Sequence, residues 1–218
     1  MRDVERFRAA VVAWAAGGAN AVPDGAVADV LAGGGPATVV LVEGTSDRHA
    51  VEALAARQGR DLADEGICVL PIGGAMSAGR FLRLFGAPWS AVNVRGLCDE
   101  AEEGHFRRGL EQAGFGTGLT RSAMESLGFH VCVADLEDEL IRALSPAGVE
   151  RVLAAEGDLA RFRLFQRQPA QRGRAVEPQL RRFMGTTSGR KAWYARALVL
   201  ALEPNRIPRP LDRLLASL

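Results

Sequence analysis

Three groups of acidic residues close three apolar runs, and that repetition is where this sequence first shows chemistry. Glu43 ends TVVLVE, with Asp47 four residues on. Asp99 ends NVRGLCD and is followed by Glu100, Glu102 and Glu103. Asp135 ends FHVCVAD and is followed by Glu137, Asp138 and Glu139. Carboxylates gathered at one place repel and raise one another's pKa values. A divalent cation removes that penalty: Mg²⁺ takes oxygen ligands, keeps several waters and shares the rest with phosphates. Two such ions about 4 Å apart clamp the attacking and leaving oxygens of a phosphodiester. A single acidic cluster also serves to complement the dipole of the helix that follows it. Three clusters on one edge favour the metal reading.

The elements around these acids place them together. TVVLVEG (38–44), ICVLPIGG (67–74), AVNVRGLCDE (91–100) and GFHVCVAD (128–135) read as apolar strands stopped by glycine or acid. Helical segments alternate with them: TSDRHAVEALAARQG, AGRFLRLFGA, FRRGLEQAG and LEDELIRAL. Strand and helix in alternation require crossover connections, hence a four-stranded parallel sheet with helices on both faces. Ligands of such sheets bind at the carboxyl ends of the strands, which is where the acids fall. Residues 1–36 are expected as a helical N-terminal appendage, with a helix over Val4–Ala16 and a second short one before GGGP. Residues 37–144 form the α/β core. Residues 145–218 are expected as a basic extension packing on the core, an arm with short helices followed by a helix over 190–202. The glycines of PIGGAMSAGR suit a flexible turn between strand and helix, or a phosphate-cradling turn before a helix N-terminus.

Net charge is +1 over 218 residues, but it is unevenly placed. From Arg161 to Arg196 there are ten Lys and Arg against one acid, Glu177. That division suits cations held in one place and phosphates in another, or else an ordinary solvated basic face. Arg167, Arg172, Arg174, Arg181, Arg182 and Arg190 are the candidate contacts to a nucleic-acid backbone, with Phe162, Phe165 and Phe183 interleaved. No apolar run approaches the ~20 residues that span a bilayer, so no membrane association is expected and the chain reads as cytoplasmic. Cys68, Cys98 and Cys132 lie in or beside apolar runs with no CxxC spacing and read as buried thiols. His105 and His130 make no ligand spacing with them, and His49, within a turn of Asp47, reads as a surface helix residue or else a substrate contact. The only tyrosine, Tyr194, reads as a packing residue of the last long helix.

LVEGTSDRHAVEAL resembles the first motif of TOPRIM domains. More narrowly, Glu43 with Asp47, the DLEDEL of 135–140 and the late Lys191 resemble the nuclease domain of the OLD (overcoming lysogenization defect) family over roughly 37–200. The resemblance implies a TOPRIM-like, Rossmann-like fold and metal-dependent cleavage of DNA or RNA. It implies two Mg²⁺ or Mn²⁺ ions. Glu43 and Asp99 would hold one, and Asp47, Asp135 and Glu137 would hold or approach the second. Glu43 and Lys191 are the implied catalytic pair, Lys191 stabilising charge on the scissile phosphate. The family's DxD reads Asp99-Glu100-Ala101 here, so Glu100 or Glu102 is the expected substitute ligand. GxxxxGK[ST] does not occur, and GTTSGRK (185–191) has the wrong order, so no ATP site is expected. A separate ATPase subunit and a homodimer are the candidate protein partners. The missing second acid keeps open an alternative, a catalytically degenerate module that binds nucleic acid or a partner ATPase. A small-molecule phosphohydrolase is a third.

Overall fold

The computed structural model describes residues 2–17, 35–86, 92–186 and 190–218. The short helix expected before GGGP lies outside them. Four strands form one parallel sheet: β1 (Thr38–Val42), β2 (Ile67–Pro71), β3 (Asn93–Asp99) and β4 (Phe129–Cys132), in the order β2-β1-β3-β4. The pleat sends alternate side chains to opposite faces. Val40 and Val42 enter one core with Val69 and Leu97, while Val39 and Leu41 enter another with Cys68, Leu70 and Cys98. All four residues of β1 from 39 to 42 are fully buried, which is why that strand reads as an unbroken apolar run.

The first core is covered by α2 (Thr45–Arg57), α6 (Leu136–Ala155), α7 (Leu159–Gln166), α8 (Val176–Gly185), α9 (Arg190–Ala201) and α10 (Arg209–Ala216). The second is covered by α1 (Arg2–Ala16), α3 (Ala78–Phe85), α4 (Glu103–Gln112) and Met124 of α5 (Arg121–Ser126). The chain moves one way from β1 to β2 through α2. It moves the other way from β2 to β3 through α3, and on to β4 through α4 and α5. Opposite directions place the crossover helices on opposite faces, as one constant crossover handedness requires. The direction therefore reverses between β1 and β3, and a crevice opens there at the carboxyl ends.

Two regions differ from the sequence expectation. The helix expected as an appendage is built into the core: Phe7 and Val11 of α1 have no exposed surface, and Arg8 donates to the Val69 carbonyl at 3.0 Å. Its spacing is amphipathic, so an apolar stripe was available to bury. The segment after Leu144 is also more regular than an arm broken by prolines suggests. α6 runs on to Ala155 through a kink at Ser145 (φ 64°, ψ 159°), with Pro146 starting the second half. Proline is tolerated in the first turn of a helix, so here it restarts one rather than ending it. No helix among the described residues is long and apolar enough to cross a membrane.

On the α1 face, α3 buries Ala78, Phe81, Leu82 and Phe85, one stripe at helical spacing, and turns Arg80 and Arg83 outward. It meets α4 glycine to glycine. A Cβ on Gly109 would stand 2.8 Å from Leu82 Cδ1 and 2.9 Å from Gly79 Cα, the latter backbone that cannot swing aside. Gly109→Ala is expected to cost about 1–3 kcal/mol through overpacking, read as a lower urea midpoint with unchanged slope. The same substitution at Gly104, whose Cβ would meet only the Arg108 side-chain tip at 3.4 Å, should change the midpoint far less.

Candidate active site

Each acid reaches the carboxyl edge by a local device. Glu43 follows β1, and its carbonyl accepts the N–H groups of Gly73 and Gly74 at 3.1 and 3.2 Å. Both glycines have positive φ, 72° and 110°. The turn suggested by PIGG as a phosphate cradle thus spends its amides on the backbone of Glu43. Asp47 sits in the first turn of α2 and accepts the Gly44 N–H at 2.8 Å. Asp99 is the last residue of β3. Asp135 caps α6 by accepting the Asp138 N–H at 2.8 Å. It is reached through Ala134 at φ 65°, a conformation that costs a residue bearing a Cβ.

These side chains feel one another. Burial pushes the Asp99 carboxyl up to about 8, aided by the charges of Asp47, Asp135, Glu43 and Glu137. Burial likewise pushes Asp47 up to about 6, with Glu137 adding to it and the Gly44 amide and Lys191 opposing. Glu43 is raised by burial, then by Glu102, against the pull of Lys191. Such mutual effects require proximity, so β1, β3 and α6 bring Glu43, Asp47, Asp99, Asp135 and Glu137 to one place. Of the two substitute acids, Glu102 faces Glu43. Glu100 is instead paired with Arg121 at 3.0 Å, which also holds Glu103. Ala101 is exposed in the 3-10 turn between β3 and α4.

Cations from the late segment cover the acids. Lys191 Nζ pairs with the buried Glu137 Oε1 at 3.1 Å, and Arg181 pairs with Asp135. Arg174, Arg181, Arg182 and Lys191 line a cavity of about 640 Å³ with Asp135 and Glu137; Asp138 of the same acidic group, Glu177 and Thr186 also line it, and nothing in the sequence marked Thr186. The other arginines lie elsewhere. Arg167 and Arg172 are exposed in the turn between α7 and α8, where Arg172 donates to the Arg167 carbonyl at 2.9 Å. Arg190 pairs with the buried Asp158, whose Oδ2 also accepts the Tyr194 hydroxyl at 2.6 Å. This staple, which the sequence did not announce because its members are 36 residues apart, fixes the first turn of α9 and with it Lys191. Among the described residues no three Asp, Glu, His or Cys side chains form a ready-made metal cage.

Two outcomes follow. Asp99 and Asp47 bind protons more tightly folded than unfolded, where carboxyls titrate near pH 4. Their contribution to stability is complete below that pH and is lost as pH rises towards about 6 for Asp47 and about 8 for Asp99. The melting temperature of the metal-free protein should carry a component that falls over that range, and Asp99→Asn should flatten it. Asp158→Ala leaves the buried Tyr194 hydroxyl without its acceptor, and chemical denaturation should show a loss of about 1–3 kcal/mol.

Residues 37–98 match the family model described as overcoming lysogenization defect protein-like, TOPRIM domain. No curated protein matches the chain significantly. Among solved structures, the C-terminal region of the Xanthomonas campestris pv. campestris OLD protein is similar at 23% identity. That match covers 83% of this chain and 93% of the other, with a TM-score of 0.62. The C-terminal region of the Burkholderia pseudomallei OLD protein is similar at 20% identity over 83% and 96%, with a TM-score of 0.63. The four-stranded parallel sheet and its flanking helices are those of the OLD C-terminal TOPRIM fold.

Proposed function

We propose that the chain is a metal-dependent nuclease that hydrolyses phosphodiester bonds of DNA or RNA at the carboxyl edge of β1, β3 and β4. One observation carries the reading: Glu43, Asp47, Asp99, Asp135 and Glu137 all lie at or just after the carboxyl ends of β1, β3 and β4, where the sheet changes direction, and Lys191 stands 3.1 Å from Glu137. The donor set fits a hard divalent cation. It is all oxygen, and the carboxyl of Asp99, raised to about 8 by burial and its acidic neighbours, sits where a cation would favour the ionised form. Mg²⁺ asks for few protein ligands and keeps its waters, so an open set of carboxylates suffices. Glu43 and Asp99 would hold one ion, with Glu102 in place of the acid missing at 101. Asp47, Asp135 and Glu137 would hold or approach another. The ions supply charge neutralisation on the phosphate and activation of water.

The chain's own groups do the rest. The Gly73–Gly74 amides hold the main chain of Glu43 in place at the edge. Lys191 carries a pKa that burial lowers but Glu137, Asp47 and Asp135 raise further, for a net increase, so it stays cationic. Its charge stabilises the oxygens that become more negative as the phosphodiester breaks. Arg174, Arg181 and Arg182 contact the flanking backbone, where Arg matches phosphate bidentately. A separate ATPase subunit and a second copy of the chain are the partners this reading admits, in a cytoplasmic setting.

The test is nicking of supercoiled plasmid in Mg²⁺, Mn²⁺ or chelator. Glu43→Gln and Asp135→Asn should abolish metal-dependent nicking; Asn keeps the helix cap that Asp135 provides. Lys191→Ala should slow it by about 100-fold or more. Both acid variants cutting at the wild-type rate would sink this mechanism. Absence of cutting in every metal, with binding retained, would favour the module that binds without cleaving, which the exposed Ala101 already suggests.

A further inference from the structure

A second cationic surface lies on the other face of the sheet from α8, and nothing in the reading above uses it. The glycine contact between α3 and α4 draws the outward faces of the two helices together. Between them is a cavity of about 440 Å³, lined by Arg80 and Arg83 from α3 and by His105 and Arg108 from α4, with no acidic residue in its lining. Met76 stands at its mouth and is 87% exposed. Three arginines this close repel unless something balances them. Among the described residues, their partners are not acids. Arg80 donates to the Trp14 and Ala15 carbonyls, both at 2.9 Å, and stacks 3.9 Å from the Trp14 ring centroid. Arg83 donates to Gln112 Oε1 at 3.3 Å, and Arg108 lies 3.2 Å from His105 Nδ1. Neutral partners orient a guanidinium without cancelling its charge. Arg121, Arg142, Arg163, Arg181, Arg190 and Arg209 by contrast each meet a carboxylate, while Arg57, Arg95 and Arg172 are held, like Arg80, by backbone carbonyls.

The position of this surface says what it would balance against. Met76 lies in the turn directly after Gly73 and Gly74, which hold Glu43. His105 and Arg108 lie in the helix that starts just after Glu102. The groove therefore opens at the carboxyl edge, and Arg83 and Arg108 lie one to two helical turns beyond it, roughly 10 Å at 1.5 Å per residue. That is about three steps of a nucleic-acid strand at 3.4 Å. We propose that the α3–α4 groove binds the phosphodiester backbone of the nucleic acid about three nucleotides from the bond at the acid edge, opposite the arginines of α8. The substrate is thereby gripped on both sides of the carboxylates, whose repulsion of phosphate would otherwise hold it away. This rests on the nucleic-acid reading given above.

The test uses the whole chain in chelator, so cleavage plays no part. Binding of a labelled duplex and of a labelled single strand is followed by anisotropy between about 50 and 200 mM salt. Arg83 and Arg108 are exposed, so Arg83→Gln with Arg108→Gln should leave the melting temperature unchanged. The double variant should make the slope of log affinity against log salt shallower by about two. Independently, Met76→Cys carrying a photo-crosslinker should label the nucleic acid; Cys68, Cys98 and Cys132 are buried, so the new thiol reacts selectively. Tight wild-type binding with an unchanged slope and no cross-link overturns the groove alone. No wild-type binding to either polymer overturns the nucleic-acid reading, and the groove with it.

Discussion

Crowded negative charge at the carboxyl edge is the constraint to which the rest of the molecule answers. A parallel sheet with alternating crossovers delivers the ends of β1, β3 and β4 side by side, and an acid lies at each end or within three residues after it. Like charges in a partly buried crevice cannot all ionise without compensation. The compensation comes in three forms. Backbone amides take some of it, at Asp47 from Gly44, at Glu139 from Val133 and at Asp135 from Asp138. A proton takes more, on Asp99, whose carboxyl is raised to about 8. Side-chain cations take the remainder: Arg121 on Glu100 and Glu103, Arg142 on Asp138 and Glu139, Arg181 on Asp135, and Lys191 on Glu137.

Lys191 and Arg181 come from the late segment, so that segment must be rigid. It is anchored by aromatic packing. Phe162 meets Phe183 at 5.3 Å between ring centroids, Phe165 meets Phe183 at 5.5 Å, and Phe183 meets Tyr194 at 6.4 Å. Spacings and tilts of this kind are favourable beyond the area they bury. The Asp158 staple then ties the loop before α7 to the first turn of α9. Apolar rings face inward and guanidinium groups outward, so one segment completes the core and carries the charge that covers the acids. The interleaving of Phe with Arg in the sequence is the linear trace of that division.

The architecture was legible because its signals are local. Strand β1 is apolar at every position from 39 to 42, since both faces are covered, and helix stripes such as Ala78, Phe81, Leu82 and Phe85 repeat at the helical period. Alternation of the two forces parallel pairing, and parallel pairing gathers the strand ends. Glu43, Asp47, Asp99, Asp135 and Glu137 could therefore be singled out from type and place, whereas Lys191 came only from the resemblance to the OLD nuclease domain. The basic arm was harder. Its arginines show no helical stripe because they are divided among α7, a turn, α8 and α9.

Tertiary structure decided what depends on long-range contact. Glu100 and Glu102 are equivalent in the sequence, yet Arg121, about twenty residues on, takes Glu100 and leaves Glu102 toward Glu43. Arg190 and Lys191 are neighbours, but consecutive helical positions point about 100° apart, so one meets Asp158 and the other Glu137. The glycines of PIGG looked free for a phosphate until β1 was seen to supply the carbonyl they bind. The sequence by itself determined which residues carry charge and on which edge of the sheet they gather, because periodicity and topology are properties of the chain. Which charge meets which is set by distances of a few ångströms between distant segments, and no spacing along a chain encodes that directly.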